Sequence, residues 1–460
     1  MNDDLEKIRE LTASVEGRLV PEEAALLYSL ARDGNGEGEI VEIGSFHGYS
    51  TIWLASGSQA GKGGRVYAVD PHDTDLHGRN EAIFRENLKK TGVDRYVVPI
   101  VRTSSEAAAT WERPIRLLWI DGAHDYKSVE NDIACWEKHL VEGGTIIFHD
   151  AFCIFWPDVG KVIEQYIFNS DRFAGLTCVN TIICAEKVMK VSQQERKEKE
   201  LFLQSISERV RAVDDYQKVE LLLRSGKEHE AAEVLRSCES GINDFVTPAY
   251  RMVNLLSIGI CYRRAGLHAR AEEIFREIRA CRTDKNLILK NYRASLELGD
   301  LYRLLKRYRD SEDSYKEVMT EDDLPGKIMS RAILGLAKCY FATGRYDEAE
   351  DQYRAFLEME EIADHDRFWA LSSLGRCYSA RKKHLKAEEQ YQKAFSLETI
   401  PGGTRVGVAE KLAGCLFEQG KFDVITGVTE NVLLLPDVSD DVKIGFVRKV
   451  KKRIARIQSV

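Results

Sequence analysis

Short apolar runs alternate with helix-like stretches from Ile40 to about Glu186 of this chain. Residues 1–32 repeat apolar positions at helical spacing, and Pro21 starts a second helix. Strands are predicted at 40–43, 66–69, 97–101, 117–120, 145–148 and 181–185, with helices between them that include 80–91 and 127–140. This alternation predicts an α/β fold with a Rossmann-like, doubly wound, mostly parallel sheet.

The second half of the chain carries an internal repeat. Its anchors recur at a nearly constant interval and lie at Leu222, Tyr262, Tyr302, Tyr340, Tyr378 and Leu416. A mostly small residue follows nine positions after each anchor, and a larger one follows four positions later, as in Ala349 and Tyr353. Small residues let two helices approach closely, and the aromatic ring fills the space between neighbouring pairs. The pattern predicts an all-α solenoid and resembles the tetratricopeptide repeat (TPR), although its period is longer than is usual for that family.

The cysteines fit this helical array. Four of the ten lie one residue before an anchor, at Cys261, Cys339, Cys377 and Cys415, which predicts core packing instead of metal binding or redox chemistry. The chain has no C-x-x-C pair, so we interpret the cysteines as reduced thiols of a cytoplasmic protein.

Neither a membrane span nor a signal peptide is expected. No apolar run approaches the roughly 20 residues that a span needs, and the acidic start at Met1–Asp4 lacks the basic and apolar regions of a leader. Residues 1–190 hold 20 Lys and Arg against 30 Asp and Glu, whereas the remainder holds 46 against 44. An acidic first half disfavours a nucleic-acid partner, because phosphate contacts supply much of that affinity.

The most informative motif follows the first predicted strand. That strand ends at Gly44, and Gly48 opens the next helix, which places backbone N–H groups beside a pocket. Asp70 ends the second strand, where an acidic side chain is suited to hold the two hydroxyls of a ribose. The sequence therefore predicts an adenosine-containing cofactor. The E-x-G-x-x-x-G spacing departs from the G-x-G-x-x-G of dinucleotide-binding turns and disfavours a nicotinamide-dependent oxidoreductase.

Residues 42–50 resemble motif I of class I S-adenosylmethionine-dependent methyltransferases, particularly the catechol-type O-methyltransferases. The resemblance implies S-adenosylmethionine as cofactor, with Gly44 near its methionine part and Asp70 at its ribose. It also implies that Ser50 and the Ser45–Phe46 backbone hold the amino-acid end. The cofactor-binding residues expected in this turn are Glu42, which orients it, Gly44, Ser45, Phe46, Gly48 and Ser50.

A serine pair after the third strand has two interpretations. Similar proteins often carry Gly-Asp-Ser there, with the Asp bonded to adenine, and this chain has Ser104 and Ser105 at the corresponding place. In one interpretation the serines contact the adenine, and in the other one of them caps the helix that follows.

A second chemical motif follows the fourth and fifth strands. D-G-x-H-x-Y-x-x-V begins at Asp121, and a G-G-x-x-x-x-H-D segment ends in His149 and Asp150. Together they resemble a methyltransferase family that includes sugar O-methyltransferases. The resemblance implies that Asp121, His149 and Asp150 bind a divalent metal and that His124 is the general base, with Asp121 beside it in the catalytic site.

Alternatives remain at each of these positions. Family members usually have an acidic or amide ligand where this chain has His149, and imidazole suits Mn, Fe or Zn better than Mg. In the alternative, Asp121 caps the next helix, His149 packs against the sheet edge, and His124 serves a structural or substrate-positioning role. The polar loop 71–79 is typical of a lid or solvated loop, with metal ligation and a contact from Arg79 to an acidic acceptor as further options.

Two hypotheses follow. The first is an S-adenosylmethionine-dependent O-methyltransferase with a methyltransferase domain at 1–190, a helical linker at 191–210 and about six TPR helix pairs at 211–460. It would transfer a methyl group to a hydroxyl of a sugar, glycan or related small molecule, assisted by Mg²⁺ or another divalent cation, while the array binds a protein partner, the acceptor or a second copy. The second is a TPR scaffold whose methyltransferase-like domain senses S-adenosylmethionine or is inactive. The complete motif set favours the enzyme.

Overall fold

The computed structural model describes residues 2–17, 19–61, 63–72, 80–242, 248–281, 288–321, 324–359 and 362–458. The chain divides into two compact units, residues 1–267 and 268–460. The domain borders expected at 190 and 210 remain predictions, and one helix, Gln193–Arg224, runs through residue 210 without interruption.

The first unit contains a seven-stranded sheet. Its strands are β1 Glu39–Ile43, β2 Val66–Val69, β3 Val97–Ile100, β4 Ile115–Ile120, β5 Leu140–Phe148, β6 Phe173–Val179 and β7 Ile182–Lys187. They lie in the order β3-β2-β1-β4-β5-β7-β6. Strands β1 to β5 pair in parallel, and β7 runs antiparallel to both β5 and β6. The predicted Rossmann-like, mostly parallel sheet is confirmed.

The helices of this domain are amphipathic or buried segments that precede the first strand or connect the strands. They are α1 Asn2–Thr12, α2 Pro21–Asp33, α3 Tyr49–Ala60, α4 Asn80–Thr91, α5 Ser104–Ala109, α6 Tyr126–Trp136 and α7 Pro157–Ile163. Strands β1, β2 and β4 are almost wholly buried, which explains their continuous apolar runs.

Three local predictions needed correction. The edge strand β6 was missed, because Gly175 lies in the left-handed region at φ 59° and a register shift near it breaks the alternation. The helical linker expected from residue 191 begins at Gln193, since Lys187 still belongs to β7 and Ser192 caps the helix. The helix expected over 127–140 ends at Trp136 and continues as a short 3₁₀ turn.

The remaining helices lie in the last part of the first unit and in the second unit. In the first unit they are α8 Gln193–Arg224, α9 Glu228–Ile242 and α10 Pro248–Arg264. In the second unit they are α11 His268–Ala280, α12 Ile288–Leu304, α13 Tyr308–Met319, α14 Gly326–Ala342, α15 Tyr346–Leu357, α16 Asp364–Ala380, α17 His384–Phe395, α18 Gly402–Glu418, α19 Phe422–Leu433 and α20 Asp440–Gln458. A left-handed residue recurs four positions after each anchor, at Gly226, Gly266, Lys306, Gly344, Lys382 and Gly420. This residue lies in the short turn that follows the first helix of each pair.

Packing within the second unit follows the predicted repeat logic. A methyl group on Gly299 or Gly335 would lie 2.6 or 2.3 Å from the ring of Tyr315, so this ring fills the space that the two glycines leave. Cys339, Cys377 and Cys415 are buried in the same core, and Cys261 is buried in the first unit. These four thiols pack in the interior as expected.

A ladder of ion pairs joins neighbouring helix pairs of the second unit. Each acid lies on the second helix of one pair, and each base lies in the turn of the next pair. The pairs are Glu272–Arg307 at 2.9 Å, Glu312–Arg345 at 2.9 Å, Glu350–Arg381 at 2.8 Å and Glu388–Lys421 at 2.6 Å. The ladder repeats with the sequence period and fixes the register between pairs.

Candidate functional site

One cavity lies at the carboxyl ends of the parallel strands, where open α/β sheets bind ligands. It has a volume of 690 Å³ and is lined by residues that follow β1, β2, β3, β4 and β5. Glu16, Gly17 and Leu19, from the segment between α1 and α2, complete its wall. Its volume falls within the range of about 300–1,000 Å³ of small-molecule and cofactor sites.

Gly44 makes the closest backbone approach in this cavity. Its φ is 88°, and a methyl group added there would lie 2.2 Å from the carbonyl oxygen of Asp121. Both the conformation and the space therefore require glycine. The β1 turn thus lies directly against the end of β4, which brings the two predicted motifs together.

Glu42 links β1 to the helix that follows the turn. It is fully buried in β1 and accepts hydrogen bonds from the hydroxyls of Ser50 and Thr51 in α3. Burial raises the pKa of Glu42 from the ordinary value of 4.5 to about 8, although both hydroxyls oppose the shift. The carboxyl group therefore holds a proton at neutral pH and ties the first strand to the first turn of α3.

Asp70 ties the tip of β2 to the β1 turn. One carboxylate oxygen accepts the backbone N–H of Phe46 at 2.8 Å, and the other accepts the backbone N–H of His72 at 2.8 Å. Phe46 lies in the left-handed region at φ 42°, and its ring stacks on His47 with centroids 3.7 Å apart. The predicted ribose-binding carboxylate thus faces the cavity beside the glycine turn.

The serine pair after β3 does not take the capping role that the sequence allowed. The cap of α5 is Thr103, whose hydroxyl accepts the N–H of Glu106, while the Glu106 carboxylate accepts the N–H of Thr103. The Ser104 hydroxyl instead accepts the indole N–H of Trp136 at 2.9 Å. Ser104 and Ser105 both line the cavity, and their contact with adenine remains a prediction.

Two carboxylates and one imidazole in the cavity lining lie close together. Asp121, His124 and Asp150 each direct one ligand atom to within 4.8 Å of the others. The His124 Nε2 atom lies 3.1 Å from Asp150 Oδ2 and 3.7 Å from Asp121 Oδ1. This nitrogen is buried and has no hydrogen bond of good geometry among the described residues. Asp150 lies in the left-handed region at φ 57°, a strained conformation for a residue other than glycine.

The charges of this cluster are strongly coupled. Burial favours the neutral ring of His124, but Asp121 and Asp150 outweigh it and raise the pKa of His124 to about 9. Burial would raise the pKa of Asp121, yet His149 and His124 hold it below the ordinary value. Without a further cation the imidazole is protonated at neutral pH, so it cannot accept a proton until one is displaced.

His149 lies behind this cluster and is buried. Its Nδ1 lies 3.1 Å from Asp121 Oδ1, and its Nε2 lies 3.5 Å from Glu23 Oε2. The ring therefore connects the Asp121 carboxylate to Glu23 of α2, and it also lies near Trp119, with centroids 5.6 Å apart. The assignment of His149 as a metal ligand remains a prediction. The alternative role of Asp121 as a helix cap is wrong, because Asp125 caps α6.

Sequence reasoning missed two residues of the site, Glu23 and Trp156, and it predicted Ser45 without its burial. Glu23 lies in α2 and also accepts the backbone N–H and hydroxyl of Thr181, far along the chain. The Ser45 hydroxyl is buried in the cavity wall without a hydrogen-bond partner among the described residues. Trp156 stacks on His124 with centroids 5.0 Å apart and remains 41% exposed. Of the polar loop 71–79, residues 73–79, including Arg79, lie outside the described residues.

Two family models match this chain. Residues 41–151 match a model described as a methyltransferase domain, and residues 329–397 match one described as a tetratricopeptide repeat. The chain joins a methyltransferase domain to a TPR array. The first match contains the cavity motifs from β1 to Asp150, and the second covers helices α14 to α17.

Curated relatives are similar to about a quarter of this chain. An uncharacterized protein of Acanthamoeba polyphaga mimivirus is 28% identical over 27% of this chain and 59% of its own length. A catechol O-methyltransferase of Mycobacterium tuberculosis is 32% identical over 24% of this chain and 46% of its own length. The chain thus spans about half the length of the curated relatives it matches.

A solved O-methyltransferase from Bacillus cereus in complex with S-adenosylhomocysteine is 20% identical to this chain. It covers 41% of this chain and 92% of its own, with a TM-score of 0.30.

Among the described residues, no helix has the length and apolar character needed to cross a membrane.

Proposed function

We propose that the methyltransferase domain is an S-adenosylmethionine-dependent O-methyltransferase that acts on a hydroxyl of a sugar, glycan or related small molecule. One observation carries this proposal: the glycine turn, the Asp70 carboxylate and the Asp121–His124–Asp150 cluster line a single cavity. Cofactor-binding and acceptor-activating groups are then adjacent, as direct transfer between two bound molecules requires.

The cofactor would lie along the β1 turn. Gly44 lines the cavity without a side chain, and Ser45 offers a buried hydroxyl that has no other hydrogen bond among the described residues. Asp70 would accept the ribose hydroxyls, a role for which its place in the cavity lining is suited. S-adenosylmethionine supplies an electrophilic methyl group when it is bound.

The donor set fits a divalent cation. Asp121, His124 and Asp150 present two carboxylates and one imidazole with a shared focus, and the buried His124 Nε2 lacks a hydrogen bond of its own among the described residues. We propose His124 as the third ligand in place of His149, because both ring nitrogens of His149 face carboxylates. Such a mixed set favours Mn, Fe, Co or Zn over Mg. A bound cation would lower the pKa of an acceptor hydroxyl.

The chain's own residues would then orient the acceptor. His149 holds the Asp121 carboxylate by its contact at 3.1 Å, which keeps one oxygen of Asp121 aimed at the cluster. Trp156 exposes an aromatic face beside His124. A flat aromatic face suits the apolar face of a sugar ring or a planar phenol. The general-base role predicted for His124 is not part of this proposal, because a pKa of about 9 leaves the ring protonated at neutral pH when no metal is bound.

The test separates cofactor binding from metal binding. Calorimetry with S-adenosylmethionine and S-adenosylhomocysteine should show binding that Asp70→Asn weakens. Calorimetry with Mn²⁺ should show binding that His124→Ala weakens more than His149→Gln does. A methyl-transfer assay on a panel of glycosides and phenols, with and without Mn²⁺, then identifies the acceptor class. Absence of heat with either cofactor molecule would refute the proposal.

The second candidate function is a TPR scaffold whose methyltransferase-like domain senses S-adenosylmethionine or is inactive. It is favoured by the pKa of about 9 for His124, which makes the ring a poor base without a metal. Binding of S-adenosylmethionine without turnover of any acceptor in the panel would support it.

We also infer a cytoplasmic location, because all ten cysteines are free thiols and this usage is typical of a reducing compartment.

A further inference from the structure

A second cavity lies in the first unit, apart from the candidate active site. It has a volume of 420 Å³ and is lined by α7, by the turn that follows α7 and by α8. Ala151 and Phe152, which come directly after Asp150, also line it, but no residue lines both cavities. Its volume lies within the range of about 300–1,000 Å³ of sites that hold small molecules.

The interior of the second cavity is apolar. Phe152, Ile163, Ile206 and Val213 line it and are buried. Val210 lines it as well and remains 39% exposed, so the apolar surface continues to the mouth. A ligand with an apolar body would remove this surface from water, which favours its binding.

The two walls of the second cavity are fixed to each other. Residues Glu164–Phe168 form one π-helical turn after α7, a conformation that occurs frequently at functional sites. The buried ammonium group of Lys199 in α8 donates to the carbonyl oxygens of Ile167 and Ser170 at 2.7 and 2.8 Å. These bonds hold α8 against the turn, so the cavity is formed before a ligand enters.

The mouth of the second cavity is polar. Its polar lining residues are all exposed, and they are Lys161, Glu164, Asn169, Ser207, Arg211 and Asp214. Both cations already have a carboxylate partner on their own helix. Lys161 pairs with Asp158 at 2.7 Å, and Arg211 pairs with Glu208. The cations at the mouth are therefore neutralised within the protein.

The two carboxylates at the mouth are not neutralised in this way. Glu164 lies on the π-helical turn and Asp214 lies on α8, and neither forms an ion pair among the described residues of the first unit. The mouth thus carries net negative charge above an apolar interior. Electrostatic complementarity favours a cationic group at this position and disfavours an anionic one.

We propose that the second cavity binds a small molecule that has an apolar body and one ammonium group. The apolar body would contact Phe152 and Ile206, and the ammonium group would pair with Glu164 or Asp214. The combination of an apolar interior with two uncompensated carboxylates at the mouth carries the proposal. It does not depend on the proposed methyl transfer.

The test is calorimetry of the full chain at neutral pH with three probes that share one ring system. Naphthylmethylamine is cationic, naphthylmethanol is neutral and naphthylacetate is anionic. The cationic probe should bind about tenfold more tightly than the neutral probe, which corresponds to about 1.4 kcal/mol, and the anionic probe should bind most weakly. Added salt should reduce the preference for the cationic probe.

The double variant Glu164→Gln/Asp214→Asn tests the role of charge. It should lose the preference for the cationic probe and keep the wild-type affinity for the neutral probe. The matched control is Glu200→Gln/Asp94→Asn, which removes the same charge from exposed positions of the first unit outside the cavity lining. This control should retain the preference. A preference that persists in Glu164→Gln/Asp214→Asn would overturn the proposal.

Val210→Trp tests the location, because the larger side chain would fill the cavity. Binding of the cationic and neutral probes should weaken about tenfold. The matched control is Leu201→Trp, since Leu201 is 58% exposed on the same helix and lies outside the lining; its affinities should equal those of the wild type. Circular dichroism melts establish that the variants are folded. Equal affinity of the wild type for the cationic and neutral probes, or unchanged binding in Val210→Trp, would overturn the proposal.

Discussion

Replacing Glu42 by Gln should make the first unit less sensitive to pH. Glu42 is fully buried beneath the glycine turn, and its carboxyl group accepts two hydroxyl hydrogen bonds. Burial raises its pKa from 4.5 to about 8. Gln has the same shape and keeps one acceptor and one donor for Ser50 and Thr51, but it does not ionise.

The direction of the effect follows from proton linkage. An unfolded chain releases this proton near pH 4.5, whereas the folded chain retains it up to about pH 8. Between these values the folded state holds one extra proton, so the contribution to stability is complete below pH 4.5 and is lost as pH rises through 8. Each pKa unit is worth about 1.4 kcal/mol, which sets an upper limit of about 5 kcal/mol for the whole interval. We expect a loss of about 2 to 3 kcal/mol over two pH units within this window.

Urea unfolding followed by tryptophan fluorescence measures this effect. Five of the six tryptophans lie in the first unit, at Trp53, Trp111, Trp119, Trp136 and Trp156, so the signal reports mainly on that unit. The difference in unfolding free energy between Glu42→Gln and wild type should increase in favour of the variant as pH rises from 5.5 to 7.5.

Ser50→Ala is the matched control. It removes one hydrogen bond to the same carboxyl group and leaves that group able to ionise. This variant should be less stable than the wild type by about 1 kcal/mol, with the pH dependence retained. A difference between Glu42→Gln and wild type that stays constant from pH 5.5 to 7.5 would refute the reasoning.

Three further outcomes are expected. Gly335→Ala should lower the melting temperature of the array, because the added methyl would lie 2.3 Å from the Tyr315 ring. Gly427→Ala should raise the melting temperature, because nothing lies within 4 Å of the added methyl and Ala has the higher helix propensity. Asp70→Asn should weaken S-adenosylmethionine binding by about tenfold in calorimetry, since charge-assisted hydrogen bonds to the ribose are lost; unchanged affinity would argue against the ribose role. Trp156→Ala should raise the KM for a glycoside acceptor more than it lowers kcat, and an unchanged KM would remove Trp156 from the acceptor site.

Much of the fold could be predicted from local sequence. The β1 run, the glycine turn and Asp70 are consecutive features of one βαβ unit, and strand tips of a parallel sheet meet at one edge, so their proximity followed from the pattern. The repeat also predicted that Tyr315 fills the space beside small residues, because the same spacing recurs in each repeat. The left-handed conformation four positions after each anchor could also be predicted, because that position is Gly in four of the six repeats.

Sequence alone predicted that Gly44, Asp70 and Asp121 reach one cavity, because strand ends and glycine turns are encoded within a few residues. Tertiary structure decided which of them touch. His124, and not only His149, meets both carboxylates, and Glu23 reaches His149 from α2 across most of the domain. These contacts depend on side-chain direction and on packing between distant segments, so they cannot be predicted from periodicity along the chain.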